Sequence, residues 1–393
     1  MELISFEKAY DIVMNSAFDK EAETIDFTCS LNRVLSADII SDIDMPPFNK
    51  ATVDGFACRR ANMGADLEII ETISAGSPPE RKVFENQCSK IMTGAAIPDG
   101  ADTVFMVEDS VILPSGKVRY TGSFTKDNIS LRGEDIRSGE TVLEKGKLIR
   151  PQDIALMALA GNTSVTVSKQ PVVAVISSGN ELVEPTEKPG LSQIRNTNSY
   201  QLMAQIGRAG AIGKYYGIAR DDEDATYEIL DQAISQSDVV LITGGVSMGD
   251  FDFVPSVLER ADVRILFSRV NIQPGKPTTF GIHQKALVFG LPGNPVSSFV
   301  QFELLVRPLL CRMMGYQWDP VILELPMGSS FTRKSADRRA LVPVVITKDR
   351  LVSPVEYHGS AHISAFSIAT GIITLPEGKK TVEKGEIVSV RQI

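Results

Sequence analysis

The chain of 393 residues has little of what marks a secreted, metal-chelating or membrane protein: four cysteines, three histidines and one tryptophan. Cys29, Cys58, Cys88 and Cys311 lie far apart and form no Cys-x-x-Cys pair, which excludes a zinc ribbon and a thioredoxin-type redox motif. Scattered thiols of this kind are expected to act as small hydrophobes in a reducing compartment. His283, His358 and His362 fit no metal-ligand spacing. His358 and His362 would share a helix face, but EYHGSAHISAF carries a Gly-Ser turn and reads as a loop. No run approaches the roughly 18 uninterrupted apolar residues of a membrane span, so no membrane partner is expected. Basic residues are nowhere massed or interleaved with aromatics, and the net charge is −9, which makes nucleic acid a poor partner. An anionic ligand would need its counter-charge supplied locally.

What is present is the balance of a globular protein, 43% hydrophobic and 23% charged, with neither internal repeats nor low-complexity tracts. Domains hold on the order of 100 to 200 residues, so two to four are expected. The start, MELISFEKAYDIVMNSAF, mixes acids into its apolar residues; it reads as an amphipathic helix rather than a secretory signal, and a cytoplasmic location is expected.

Residues 171–311 repeat a short apolar run, a Gly-bearing loop and an amphipathic segment, the signature of a mostly parallel sheet covered by helices on both faces. Strands are predicted at PVVAVISSG, KYYGIAR, SDVVLITGG, VRILFSRV and ALVFGL, and helices at NTNSYQLMAQIGRAG, DDEDATYEILDQAISQS and VPSVLERA. A further helix is predicted from residue 295 to about 313, with Asn294 as its N-cap and Pro295 at its first position. Residues 45–138 and 318–393 instead hold short β-rich runs such as ADTVFMVED, GKVRYTG, RALVPVVI and GIITLPEG, separated by turns, and should form smaller β-rich domains. RPQDIALMALAGN adds one helix between them.

Three loops carry the chemistry of the α/β region. TGGVSMGDFD (residues 243–252) follows a predicted buried strand and precedes a helix; Gly244, Gly245 and Gly249 permit close approach of a ligand, and Ser247 with nearby amides suits phosphate. Asp250 and Asp252 stand where a phosphate-bound Mg2+ would take oxygen ligands. Alone, such a turn is equally compatible with a plain strand-to-helix connection. QPGKPTTFG (273–281) and LPGNPVSS (291–298) follow strands of the same sheet, so all three loops are predicted to meet at the carboxyl rim, where open α/β sheets bind ligands. Lys276 would hold a single cation there. Glu181 in SSGNELVEP and Asp221 in ARDDEDA belong to the same rim, although a loop acid and a helix cap are the commoner roles for such residues, and Asp222 serves as a cap equally well. PPFNKATVDGFACR (46–59), IMTGAAIPDGADTVFMVED (91–109) and LRGEDIRSGE (131–140) are turn-rich loops whose acids would, in isolation, be read as capping carboxylates.

Taken in order, PPFNKATVDGFA, IMTGAAIPDGADTVFMVED, RGEDI, SSGNEL, QIRNTNSY, IARDD, TGGVSMGDFD, QPGKP and LPGNPVS resemble the molybdopterin molybdenumtransferase family, which includes bacterial enzymes and the carboxyl-terminal domain of gephyrin. The likeness covers nearly the whole chain, with LPEG (375–378) resembling the family's late strand. It implies a multidomain α/β plus β fold: an amino-terminal helix (1–20) packed on a three-layer molybdopterin-binding α/β domain (169–316), a linking domain (21–44 and 139–168), an inserted β-rich domain (45–138), and a β-barrel-like end (317–393). It also implies an elongated homodimer whose site lies between the α/β domain of one subunit and the inserted domain of the other.

The implied activity is that of a transferase, inserting molybdate into adenylylated molybdopterin with Mg2+-dependent release of AMP, fed by a molybdopterin adenylyltransferase and handing cofactor to recipient molybdoenzymes. By carry-over, Asp54, Asp135, Glu181, Asp221 and Asp252 are the site acids, with Glu181, Asp221 and Asp252 holding the metal. Thr93, Arg132, Gly244, Gly245, Ser247, Gly249, Arg269 and Lys276 contact substrate, and Pro292 and Pro295 shape the oxyanion pocket. So many carboxylates beside an anionic substrate require a cation. The chain departs from the family at Asn180, usually aspartate; at Gln273, often lysine; at Arg269, where lysine is common; and at Thr243, usually serine. Two rival readings are a single-domain adenylyltransferase of the same α/β fold, which would lack the VDGFA and RGED segments and the β-rich end, and a scaffold that has lost catalysis.

Overall fold

The computed structural model describes residues 2–220, 222–245 and 254–393. Asp221, Ser247, Gly249, Asp250 and Asp252 therefore lie outside the described residues. The chain forms two units: Thr24–Leu31 with Ala37–Val165, and Met1–Glu23 with Asn32–Ser36 and Thr166–Ile393.

Helix α1 (Phe6–Asn15) belongs to the larger unit and starts where Ser5 accepts a hydrogen bond from the Lys8 amide at 3.2 Å. Ten residues are too few for a stable isolated helix. Ala9 and Val13 secure it by burial in the core of the α/β sheet.

The smaller unit is built on four strands, β1 (Gly55–Cys58), β2 (Glu68–Ile73), β3 (Gln87–Ile91) and β4 (Thr103–Met106), in the order β2-β3-β1-β4. β1 is central and fully buried, which its run of small and apolar residues, GFAC, allows. Cys58 and Cys88 face each other across β1 and β3, and with Cys311 they are buried thiols pushed up to about 12 by desolvation. Cys29 is exposed on a single turn, unlike the packed role expected of it. Helix α2 (Pro151–Leu159) opens on Pro151 and ends before Gly161, whose φ of +75° stops it.

In the larger unit, β5 (Val172–Ser178), α3 (Asn198–Arg208), β6 (Ile212–Ala219), α4 (Glu223–Gln236), β7 (Val239–Thr243), α5 (Val254–Arg260), β8 (Arg264–Phe267), β9 (Thr279–Ile282) and β10 (Leu287–Leu291) form the α/β domain. The sheet order is β6-β5-β7-β10-β9-β8; the first four strands are parallel, and β9 is antiparallel to both neighbours. Because strand side chains alternate, Val239 and Leu241 enter the core that includes α1 and α3, while Val240 and Ile242 enter the one beneath α4 and α5. Covering both faces explains why these strands read as continuous apolar runs.

Three expectations change here. The TFG that ends QPGKPTTFG, read as loop, is the start of β9; the antiparallel ladder to β10 outweighs the turn signals of the prolines just before it. The long last helix breaks into α6 (Pro295–Gln301), a wider π-helical turn over Phe302–Val306, and α7 (Arg307–Met313). The widening sits just ahead of Pro308, which has no N–H to return to the preceding turn. Asn294 stands at the N-cap of α6, but its side chain caps no amide.

The last residues form a second sheet: β11 (Ile322–Pro326), β12 (Arg339–Ile346), β13 (Gly371–Leu375) and β14 (Ile387–Gln392), with Ile272–Gln273 on the edge of β12. LPEG is not a strand: β13 ends at Leu375, and Gly378, with φ +82°, turns the chain. No helix among the described residues is long and apolar enough to cross a membrane.

Candidate active site

The carboxyl ends of β5, β7 and β10 lie side by side, and the loops leaving them are pressed together by backbone contact. Gly244 has φ +91°, and a Cβ on it would fall 2.2 Å from the Ser178 carbonyl oxygen, so the turn after β7 can rest on the end of β5 only as glycine. Its amide donates to the Leu291 carbonyl at 3.2 Å, which ties the same turn to the end of β10. Glu181 is exposed just past β5, and its carboxylate folds back over Gly179. Asp222 proves to be a cap: its side chain accepts from the Ala225 amide at 2.8 Å, at the start of α4.

The QPGKP and LPGNP loops do come together. Gln273, Pro274, Lys276, Pro277, Pro292, Asn294 and Ser297 line one side of a cavity of about 1000 Å³. Its other side comes from the end of the chain: Phe331, Lys334, Arg338, Leu341, Tyr357, His358 and Ser360. Lys276 is exposed, and among the described residues no carboxylate pairs with it. The lining therefore combines four cations (Lys276, Arg333, Lys334 and Arg338) with one acid, Glu356, and a wall of apolar side chains. Such a lining suits an oxyanion attached to a ring system. Pro295 and Arg269 are not on this lining: the Pro295 carbonyl accepts from Gln201 Nε2 at 3.1 Å, and the Arg269 carbonyl accepts from the Ile4 amide at 3.2 Å. His358 and His362 stand on a loop, as expected, with stacked rings 5.0 Å apart.

The smaller unit gathers its own three odd loops. Lys50–Ala51 pairs with Ile129–Ser130, and the Ala51 amide donates to the Ala95 carbonyl at 2.9 Å. The Gly133 and Asp135 amides donate to the Pro46 and Met45 carbonyls, so the RGED loop is zipped to the PPFN loop. Asp54, at the entry to β1, accepts from both the Thr93 amide and the Thr93 hydroxyl, and the hydroxyl first, then the amide, hold its carboxyl below the ordinary range. Asp54, Thr93 and Asp135 are all exposed. Arg132 Nε donates to Asp44 at 2.6 Å, an ion pair invisible in the local sequence because 88 residues separate the partners.

Of the three proposed metal ligands only Glu181 lies among the described residues, where no group of three or more Asp, Glu, His or Cys is placed to hold an ion. The donor set itself, all carboxylate oxygen, suits a hard divalent cation. Sequence reasoning missed Lys334, Arg338 and Ser360, which reach the cavity from segments with no motif, and the buried amides of QIRNTNSY. For the latter the signals were the place of QIRNTNSY among the ordered motifs and a polar run, NTNS, where an amphipathic helix begins.

Comparisons with known proteins agree along the chain. The family models described as MoeA N-terminal region (domain I and II), probable molybdopterin binding domain and MoeA C-terminal region (domain IV) match residues 4–161, 174–312 and 325–393. The chain is similar to a molybdopterin molybdenumtransferase of Staphylococcus epidermidis, 35% identical over 98% of this chain and 95% of that one. One from Staphylococcus aureus is 33% identical with the same coverage. Among solved structures, a molybdopterin biosynthesis MoeA protein from Pyrococcus horikoshii superposes with a TM-score of 0.83 at 32% identity, covering 100% of this chain and 99% of the other. A second structure of such a protein, from Pyrococcus horikoshii OT3, gives 0.87 at 28% over the full length of both. Matches on both sides of the α/β domain set aside the reading as a single-domain adenylyltransferase.

Proposed function

The chain belongs to the molybdopterin molybdenumtransferase family, and we propose that it performs the reaction its staphylococcal relatives are named for, transferring molybdenum to molybdopterin in molybdenum cofactor biosynthesis. In its finer form the pterin arrives adenylylated, molybdate is the second substrate, and AMP is released. The observation that carries this reading is the cavity in which Lys276, on the loop after β8, meets Pro292, on the loop after β10. A tetrahedral oxyanion needs fixed cations and donors; Lys276, Lys334 and Arg338 supply the first, Ser297 and Ser360 the second.

Mg2+ belongs to the proposal, and Glu181, Asp221 and Asp252 would hold it; when bound it would offset the repulsion between these acids and an anionic substrate and polarise the pyrophosphate. Gly244, Gly245, Ser247 and Gly249 bind phosphate through backbone amides and a hydroxyl, and Arg269 adds a cation. Lys276 draws molybdate toward the pocket shaped by Pro292 and Pro295. Asp54, with Thr93, and Asp135, with Arg132, act from a second copy of the chain in a homodimer. Asp54 is suited to the charged role, and Thr93 holds its carboxyl below the ordinary range. The domain division 1–20, 21–44 with 139–168, 45–138, 169–316 and 317–393 is proposed with it. So are a cytoplasmic location, favoured by four cysteines without a disulfide, an upstream adenylyltransferase and downstream molybdoenzymes.

The test is AMP release from adenylylated molybdopterin with Mg2+, in molybdate and then in tungstate. Molybdate-dependent release is expected, abolished by Asp54→Ala or Asp252→Ala and regained when the two variants are mixed as heterodimers. Folded protein that releases nothing with either oxyanion would point to a scaffold instead.

A further inference from the structure

The rim carries a polar cluster that no substrate contact explains. Asn198, in the first turn of α3, is 7% exposed, and both N–H groups of its amide are used. One donates to Thr243 Oγ1 at 2.8 Å, the other to the Gly293 carbonyl at 2.8 Å. Thr243 Oγ1 in turn donates to the Pro292 carbonyl at 3.2 Å. One side chain thus bridges the last residue of β7 to the turn after β10, and the two turns are close enough that a Cβ on Gly293 would lie 3.5 Å from the Gly244 Cα.

The neighbours of Asn198 act alike. Asn196 Oδ1 accepts from Ser177 Oγ at 2.9 Å, near the end of β5, and from the Ser199 amide at 3.3 Å. Gln201 Nε2 donates to the Pro295 carbonyl at the start of α6. Residues 196–201 therefore touch the ends of three strands and the head of one helix. Apolar side chains packed in the same space would be about as stable, since a buried hydrogen bond is worth only about 1 kcal/mol net. What the amide adds is geometry: both its bonds are satisfied in one arrangement of the two turns only.

We propose that Asn198 is a positioning residue for this enzyme, a staple that sets the phosphate-binding turn at 243–245 against the oxyanion-pocket turn at 292–295. The inference rests on the function proposed above. Losing the staple leaves the sheet intact and lets the two halves of the substrate site drift, so binding of a substrate that spans both turns suffers first.

The experiment pairs steady-state kinetics with hydrogen exchange on Asn198→Ala, Thr243→Val and Thr243→Ser in the full-length protein. Asn198→Ala is expected to raise KM for adenylylated molybdopterin at least tenfold with a smaller change in kcat. Exchange in peptides spanning 243–245 and 292–296 should quicken at least tenfold, while the peptide of α4 is unchanged. Thr243→Val moves both readouts in the same direction, and Thr243→Ser, which keeps the hydroxyl, matches wild type. A KM within twofold of wild type with unaltered exchange at both turns overturns the proposal, as does Thr243→Ser behaving like Thr243→Val. Exchange needs no substrate, so a wild-type protein that releases no AMP yet shows the coupled loosening would sink the function and leave the staple standing.

Discussion

Thr93 donates twice to a single carboxylate oxygen, Oδ1 of Asp54: its amide from 2.6 Å and its hydroxyl from 2.7 Å. Both residues are exposed, so nothing but these two bonds explains why the Asp54 carboxyl lies below its ordinary range. The arrangement keeps a charged oxygen at the entry to β1, with its second oxygen left for other work.

Removing the hydroxyl alone, in Thr93→Val, takes away the larger of the two causes, so the Asp54 pKa should climb toward the ordinary value of about 4. The sign follows from linkage. A folded-state pKa below the unfolded one stabilises the protein above the unfolded pKa, and that contribution is lost as pH falls through the folded value. Thr93→Val should therefore lose less stability than wild type on acidification below about pH 4. A carboxyl NMR titration of Asp54 checks this, and an unmoved pKa would show that the amide alone sets it.

Gly244→Ala puts a methyl group 2.2 Å from the Ser178 carbonyl oxygen at φ +91°. Strain of about 1–3 kcal/mol is expected, relieved by displacing the turn from the end of β5. KM for the pterin substrate should rise while the unfolding midpoint falls only modestly. A variant with wild-type KM would mean that the turn is not part of the site.

Lys276→Met keeps the stem and removes the charge from the cavity wall. The molybdate requirement should increase about tenfold or more, a loss of at least ~1.4 kcal/mol, with the pterin KM unchanged. Equal effects on both substrates would relocate the oxyanion away from Lys276.

Far from the site, Glu303 is 3% exposed and accepts from Gln205 at 2.7 Å, Arg208 at 2.6 Å and Arg307 at 3.0 Å. The Arg307 guanidinium also lies 3.7 Å over the ring of Trp318, the chain's one tryptophan. Glu303→Ala leaves the largely buried Arg307 guanidinium and the Gln205 amide without their acceptor, while the half-exposed Arg208 is screened by water, and should cost about 1–3 kcal/mol. Urea unfolding followed by Trp318 fluorescence reads this directly; a change under about 1 kcal/mol would show the cluster to be solvent-screened.

Much of the α/β domain was legible because its strands are buried on both faces and its helices on one, so VVAVIS and DVVLITGG announce themselves by composition. β9 was not legible: TFGI becomes a strand through its ladder to β10, a partner that propensity cannot see. Asp222 read as a cap by its position before α4, and it is one. Asn294 read as a cap by the same rule and is not, since its side chain bonds no helix amide. The pairing of Arg132 with Asp44 had no local signal, because 88 residues separate the partners.

By itself the sequence determined the kind of protein: glycines and prolines fix where strands must end, alternation and helical period fix which faces are buried, and a set of motifs in order fixes the family. These are local properties, decided within a few residues by sterics and by the hydrophobic effect. Only the tertiary structure decided that Lys334, Arg338 and Ser360 share a cavity with Lys276, and that Asn198 reaches Thr243 and Gly293 at once. Groups 45 and 95 residues apart along the chain meet because the parallel sheet brings its strand ends to one rim, and a hydrogen bond depends on distance in space, which no local pattern encodes.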